Sequence, residues 1–100
     1  MTMQLSVDTF KVHCSIKAQM KKVLEETAEL YGAAEYVAKC QRDDEDVYTD
    51  MFDHEWADAV TELCNLFRRV HGDDEKELEW IAEEALEFVR HDNIRRGRYQ

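Results

Sequence analysis

Apolar positions along this chain recur with helical period. At about 100° per residue, with Val23 as zero, Ile16, Met20, Val23, Leu24, Leu30, Tyr31, Ala34, Val37 and Ala38 fill one arc of a first helix. Residues 51–70 repeat the pattern: from Phe52, the side chains of Trp56, Ala59, Val60, Leu63, Cys64, Leu66, Phe67 and Val70 fill a similar arc. In a third run, Leu78, Ile81, Ala82, Ala85, Leu86, Phe88 and Val89 keep the period to about Arg90. Proline is absent, and no run alternates apolar and polar residues as a strand would. The pattern predicts an all-α fold with three main helices.

Capping residues set the expected boundaries. Asp8 or Thr9 is placed to cap the first helix, which should run to about Lys39 with Lys11, Lys17, Lys21 and Lys22 on a basic outer face. Gly32 weakens that helix by up to about 1 kcal/mol and marks a place for a kink or a close helix approach. Residues 41–50 read as a polar connection. Thr49 or Asp50 then caps the second helix, Gly72 supplies a left-handed residue after it, and Asp73 or Asp74 caps the third. Residues 1–7 stay open between disorder and packing on a partner chain.

Length adds an expectation of assembly. A chain of 100 residues makes one small domain, which buries only about two-thirds of its unfolded surface. Three such helices gain from sharing a core with a second copy, so the bundle is expected to be completed in a homodimer or homotetramer. The formal charge of -10 argues against nucleic acid or an anionic membrane as partner and fits a cation site. Cys14, Cys40 and Cys64 form no C-x-x-C motif, and the first residues lack the regions of a signal peptide. No twenty-residue apolar run exists. A soluble chain in the reduced cytoplasmic compartment is expected.

The candidate chemistry lies at the borders of the first two arcs. Glu26 falls just beyond one edge of the first arc and Glu29 about 60° further out, and Glu55 and Asp58 hold the same two offsets on the second. Two helices packed by their apolar faces would present both pairs along one edge. Four carboxylates so close repel by about 3 kcal/mol per pair at about 5 Å and an effective dielectric near 20. An all-oxygen cluster of this kind favours a hard cation, Mg²⁺, Mn²⁺ or Ca²⁺. The rival is an ordinary solvated helix border.

Two other constellations are weaker. Asp44, Asp46, Asp50 and Glu55 fall at EF-hand-like spacing, but Tyr48 and Thr49 stand where a ligand and the turn glycine belong. His54-Glu55-x-x-Asp58 lacks the second histidine of the zinc protease motif.

Glu26-x-x-Glu29, twenty-five intervening residues and Glu55-x-x-Asp58 together resemble the signature of the all-α nucleoside triphosphate pyrophosphohydrolases, the MazG-like superfamily. The wording Glu25-Glu26-Thr27-Ala28-Glu29-Leu30 is similar to that family's EExxEL, and Glu55-Trp56-Ala57-Asp58 to its E-x-[AG]-D. The resemblance implies a Mg²⁺-dependent enzyme, with Mn²⁺ as substitute, that cleaves a nucleoside triphosphate to the monophosphate and pyrophosphate. Glu26, Glu29, Glu55 and Asp58 would bind the metal, and Glu25 is the candidate acceptor of a proton from the attacking water. Asn93-x-x-Arg96-Gly97 is similar to the family's N-x-x-R-G, which helps hold substrate phosphates. The family's preceding lysine is absent here, and its role passes to Arg90. Lys22 matches the K-x-x-E-E run of the phosphoribosyl-ATP pyrophosphatase branch, which makes that activity an alternative. A non-catalytic acidic helical protein that binds a partner is the alternative from another class.

Overall fold

In the computed structural model, residues 1–98 are described. Three α-helices account for the regular structure: α1 (Ile16–Arg42), α2 (Asp50–His71) and α3 (Glu75–Arg95). The all-α expectation is met. No described helix is long and apolar enough to cross a membrane.

The chain divides into two compact units, Met1–Val70 and the described residues from His71 onward. In the first unit α1 and α2 run antiparallel, as the register of their contacts shows: Gln19 of α1 meets Glu62 of α2, and Glu29 faces Glu55. Buried positions on α1 fall at seven-residue intervals, Gln19, Ala33 and Cys40, with half-buried Glu26 completing the series. On α2 the buried residues are Ala59 and Asn65. Small side chains at Ala33 and Ala59 let the helices approach closely.

This seam lies on the carboxylate border of each helix, away from the centre of the apolar arc. Ile16, Met20, Leu24 and Tyr31 from the α1 arc are exposed, as are Leu63 and Val70 from the α2 arc. In an antiparallel pair, equal offsets from the seam fall on the same side of both helices. The exposed apolar side chains of both arcs therefore face one side, and Glu29 and Asp58 lie toward the other.

α1 begins later than the capping expectation. Asp8 and Thr9 are not its cap; Ser15 is, its hydroxyl accepting from Ala18 N at 3.1 Å. The reason is a set of long-range bonds that hold residues 9–14 outside the helix. Phe10 N donates to Asn65 Oδ1 at 2.7 Å, Arg68 donates to the Thr9 carbonyl at 3.1 Å, and Arg69 Nε donates to the Cys14 carbonyl at 3.0 Å. Lys11 consequently lies outside the helix it was expected to flank. At the other end α1 continues to Arg42, so the connection shrinks to residues 43–49, with Asp44 at a positive φ of 54°. Gly32 marks no close approach, since a Cβ there would meet nothing within 4 Å.

α2 opens beside Thr49, whose hydroxyl donates to Asp53 Oδ2 at 3.1 Å. Gly72 takes a φ of 106° after it, as the boundary reading requires. In the second unit Asp74 caps α3 by accepting from Glu77 N at 3.2 Å. That helix runs five residues past the expected end. Arg95 and Arg96 pair with Asp92 at 2.7 and 3.2 Å, spacings that reward helix instead of a tail. Leu78, Ile81 and Ala82 are half-buried, whereas Trp80, Leu86, Phe88 and Val89 are exposed.

Candidate metal centre

Carboxylates meet where the α1–α2 seam crosses the middle of both helices. Glu26, Glu29 and Glu55 each offer an oxygen, and the three oxygens lie within 4.8 Å of one another. Among the described residues no other group of three or more carboxylate, histidine or cysteine side chains is gathered so closely. Glu26 and Glu55 are half-buried and Glu29 is exposed, which gives the group an inner end and a solvent-facing rim.

The inner end is short of donors. Glu26 Oε2 and Glu55 Oε2 are both withdrawn from solvent with no hydrogen-bond partner. The neighbouring hydroxyls cannot serve them: Thr27 Oγ1 donates back to the Val23 and Leu24 carbonyls at 2.9 and 3.0 Å, and Thr61 Oγ1 to Ala57 O at 2.8 Å. An unpartnered buried carboxylate oxygen is costly. Burial, then repulsion from Glu29 and Asp58, pushes the Glu26 carboxyl above its ordinary value, and Lys22 pulls it partly back. Burial also raises Glu55, helped by a side-chain hydrogen bond with Glu29 and by the charges of Glu29 and Asp58. The burial and the repulsion between carboxylates favour a proton or another cation between the acids.

Asp58 adds its charge to the cluster without being one of the three converging acids. It pairs with His54 Nε2 at 3.2 Å, and its side chain is 47% exposed. Glu25 points to solvent and stands outside the group. Lys22, one turn before Glu26, is exposed and near enough to act on it. The acids of the connecting loop are not gathered with Glu55.

The C-terminal candidates belong to the second unit and already have local partners. Arg90 Nη1 bonds Glu87 at 3.2 Å, a carboxylate that His91 also meets at 2.8 Å. Asn93 Oδ1 accepts from Arg98 Nη1 at 3.4 Å, and Arg96 is held by Asp92. All of these lie on the surface or near it.

Pattern reading missed Gln19, Glu62 and Asn65. Gln19 and Asn65 are the buried polar side chains of the described chain, 2% and 3% exposed, and both donate to Glu62. The signal that finds Gln19 is the seven-residue series of Gln19, Glu26, Ala33 and Cys40 along α1; Glu62 follows Glu55 by the same interval on α2.

Fold and cluster together define a class: an all-α protein whose antiparallel helix pair gathers carboxylates along its seam. Set against family models, curated proteins and solved structures, the chain finds no match in any of the three.

Proposed function

We propose that this chain is a Mg²⁺-dependent nucleotide pyrophosphohydrolase of the MazG-like kind, hydrolysing a nucleoside triphosphate to the monophosphate and pyrophosphate. The observation that carries the reading is the convergence of Glu26, Glu29 and Glu55, with two buried carboxylate oxygens that have no partner. An all-oxygen, anionic donor set suits a hard divalent ion. Such an ion, bound there, would neutralise charge on phosphate oxygens and orient an in-line water. Glu26, Glu29 and Glu55 hold it in this reading, with Asp58 turning in from its pair with His54. Glu25 is the proposed proton acceptor at the solvent side, and Lys22, Arg90, Asn93 and Arg96 are the proposed phosphate contacts. The active form is a homo-oligomer.

Phosphoribosyl-ATP hydrolysis is kept as a second reading because Lys22 lies close enough to Glu26 to lower its pKa, which puts a cation beside the cluster. The test is pyrophosphate release from canonical, deoxy and modified nucleoside triphosphates and from phosphoribosyl-ATP, with Mg²⁺ and with EDTA. Release that needs the metal is expected, and the preferred substrate separates the two readings. No release from any of them, by a folded protein whose melting ignores Mg²⁺, leaves a non-catalytic acidic binding protein.

A further inference from the structure

A continuous exposed stripe runs along α1 on the face turned away from α2. Lys17, Lys21, Leu24, Ala28, Tyr31 and Glu35 recur at alternating intervals of four and three residues, the spacing of a coiled-coil seam. All six are exposed, Leu24 and Tyr31 each at 68%. Ala33, buried against α2, stands nine residues from Leu24, about two and a half helical turns, so the stripe and the α1–α2 seam lie on opposite faces. A second helix can therefore pack on the stripe without displacing α2.

The order of residues along the stripe decides what fits it. Both lysines lie at its N-terminal end, Leu24, Ala28 and Tyr31 in the middle, and Glu35 at its C-terminal end. None of the three charged side chains has an ion-pair partner among the described residues. A parallel copy would set Lys17 on Lys17, Lys21 on Lys21 and Glu35 on Glu35, and like charges brought together in a contact repel. An antiparallel copy reverses each of these terms, because the six positions are symmetric about residue 26. Lys17 then falls level with Glu35 of the second copy, Lys21 with its Tyr31, and Leu24 with its Ala28. Opposite charges close both ends, an ammonium group lies beside an aromatic ring, and a large side chain meets a small one at the centre. Equal offsets in an antiparallel pair fall on the same side, which brings the paired residues together.

We propose that two copies of this chain associate antiparallel through this stripe of α1, about a twofold axis near residue 26, with Lys17 of each paired to Glu35 of the other. Such a contact is self-complementary and closes on itself. The inference rests on the homo-oligomer reading above and adds its surface and orientation. Glu26 and Glu29 are not members of the stripe, so the carboxylate group stays outside the contact.

The test is sedimentation equilibrium over a range of protein concentrations, with helix content followed by circular dichroism. Wild type, Lys17→Glu, Glu35→Lys and the double variant are compared. Each single reversal changes two symmetry-related contacts and is expected to weaken self-association by about tenfold, and the double variant, which restores opposite charges across the contact, should recover it. Lys17→Gln and Glu35→Gln, each expected to weaken association by a smaller factor, answer the question if a reversal unfolds the helix. Unchanged association in the single variants, or a double variant that fails to recover, overturns the antiparallel contact while the homo-oligomer reading stands. A wild type that stays a single chain at every concentration overturns both and leaves the stripe to a partner of different sequence.

Discussion

Two glutamates with buried, unpartnered oxygens give the first unit its distinctive electrostatics. Glu26 and Glu55 are both raised above the ordinary carboxylate value, chiefly by burial. The folded chain therefore keeps these protons to higher pH than the unfolded chain does. Stability from this source is complete below the ordinary carboxylate range and is lost as pH rises through the raised values. In the proposed centre a divalent cation would replace the proton, so excess Mg²⁺ should raise the melting temperature at neutral pH and help less in mild acid, where protons compete. Melting followed across pH in EDTA and in Mg²⁺ checks this, and parallel curves would remove the cation from the account. Glu55→Gln and Asp58→Asn should each cut pyrophosphate release by more than the roughly 10–100-fold typical of outer partners, with helix content by circular dichroism held. Full activity in both variants would exclude the proposed centre. The E-x-x-E and E-x-x-D pairs were legible because three-residue spacing on a helix fixes a shared border. Glu62 and its amides were not, because an apolar template assigns polar residues to the surface, and the seam runs along that border.

At the scale of elements, caps and glycines decide where helices stop and how firmly. Gly32 sits exposed in the middle of α1 with open space around a virtual Cβ. Gly32→Ala should stabilise the protein by up to about 1 kcal/mol, the difference in helix propensity. Gly72, at a φ of 106°, has open space too, but its backbone conformation strains any L side chain. Gly72→Ala should cost about 1–2 kcal/mol. Urea unfolding of the two variants tests both signs at once, and equal effects would contradict the assigned backbone. Gly72 and the Asp74 cap could be read directly because their geometry is local. The start of α1 could not: Phe10 is drawn out of the helix by Asn65, 55 residues later, and Arg68 adds a bond to Thr9. The end of α3 was misplaced for the opposite reason. A dense run of charges looked like a tail, yet its three- and four-residue pairings with Asp92 favour continued helix.

At the scale of the molecule, the apolar arcs that announced the helices are only partly covered within one chain. Ile16, Met20, Leu24 and Tyr31 of α1 and Leu63 and Val70 of α2 face solvent on one side of the pair. Burying one such large side chain fully is worth about 1.5–3 kcal/mol, and monomers rarely expose contiguous apolar patches beyond a few hundred Å². The occupant that a small homogeneous chain always has available is a second copy of itself, which supports the oligomer proposed above. The carboxylates bear on where that copy can sit. Because Glu29 and Asp58 lie on the other side of the pair, association through the apolar side leaves the cluster open to ion and substrate. Sedimentation equilibrium should therefore give a mass at least twice 11.9 kDa, with melting that rises with protein concentration. Leu24→Lys, placed at a 68% exposed position of that face, should shift the mass toward a single chain while Mn²⁺ binding survives. A single-chain mass for the wild type would mean that the face serves another partner. Loss of Mn²⁺ binding together with association would instead mean that the centre is complete only in the assembly.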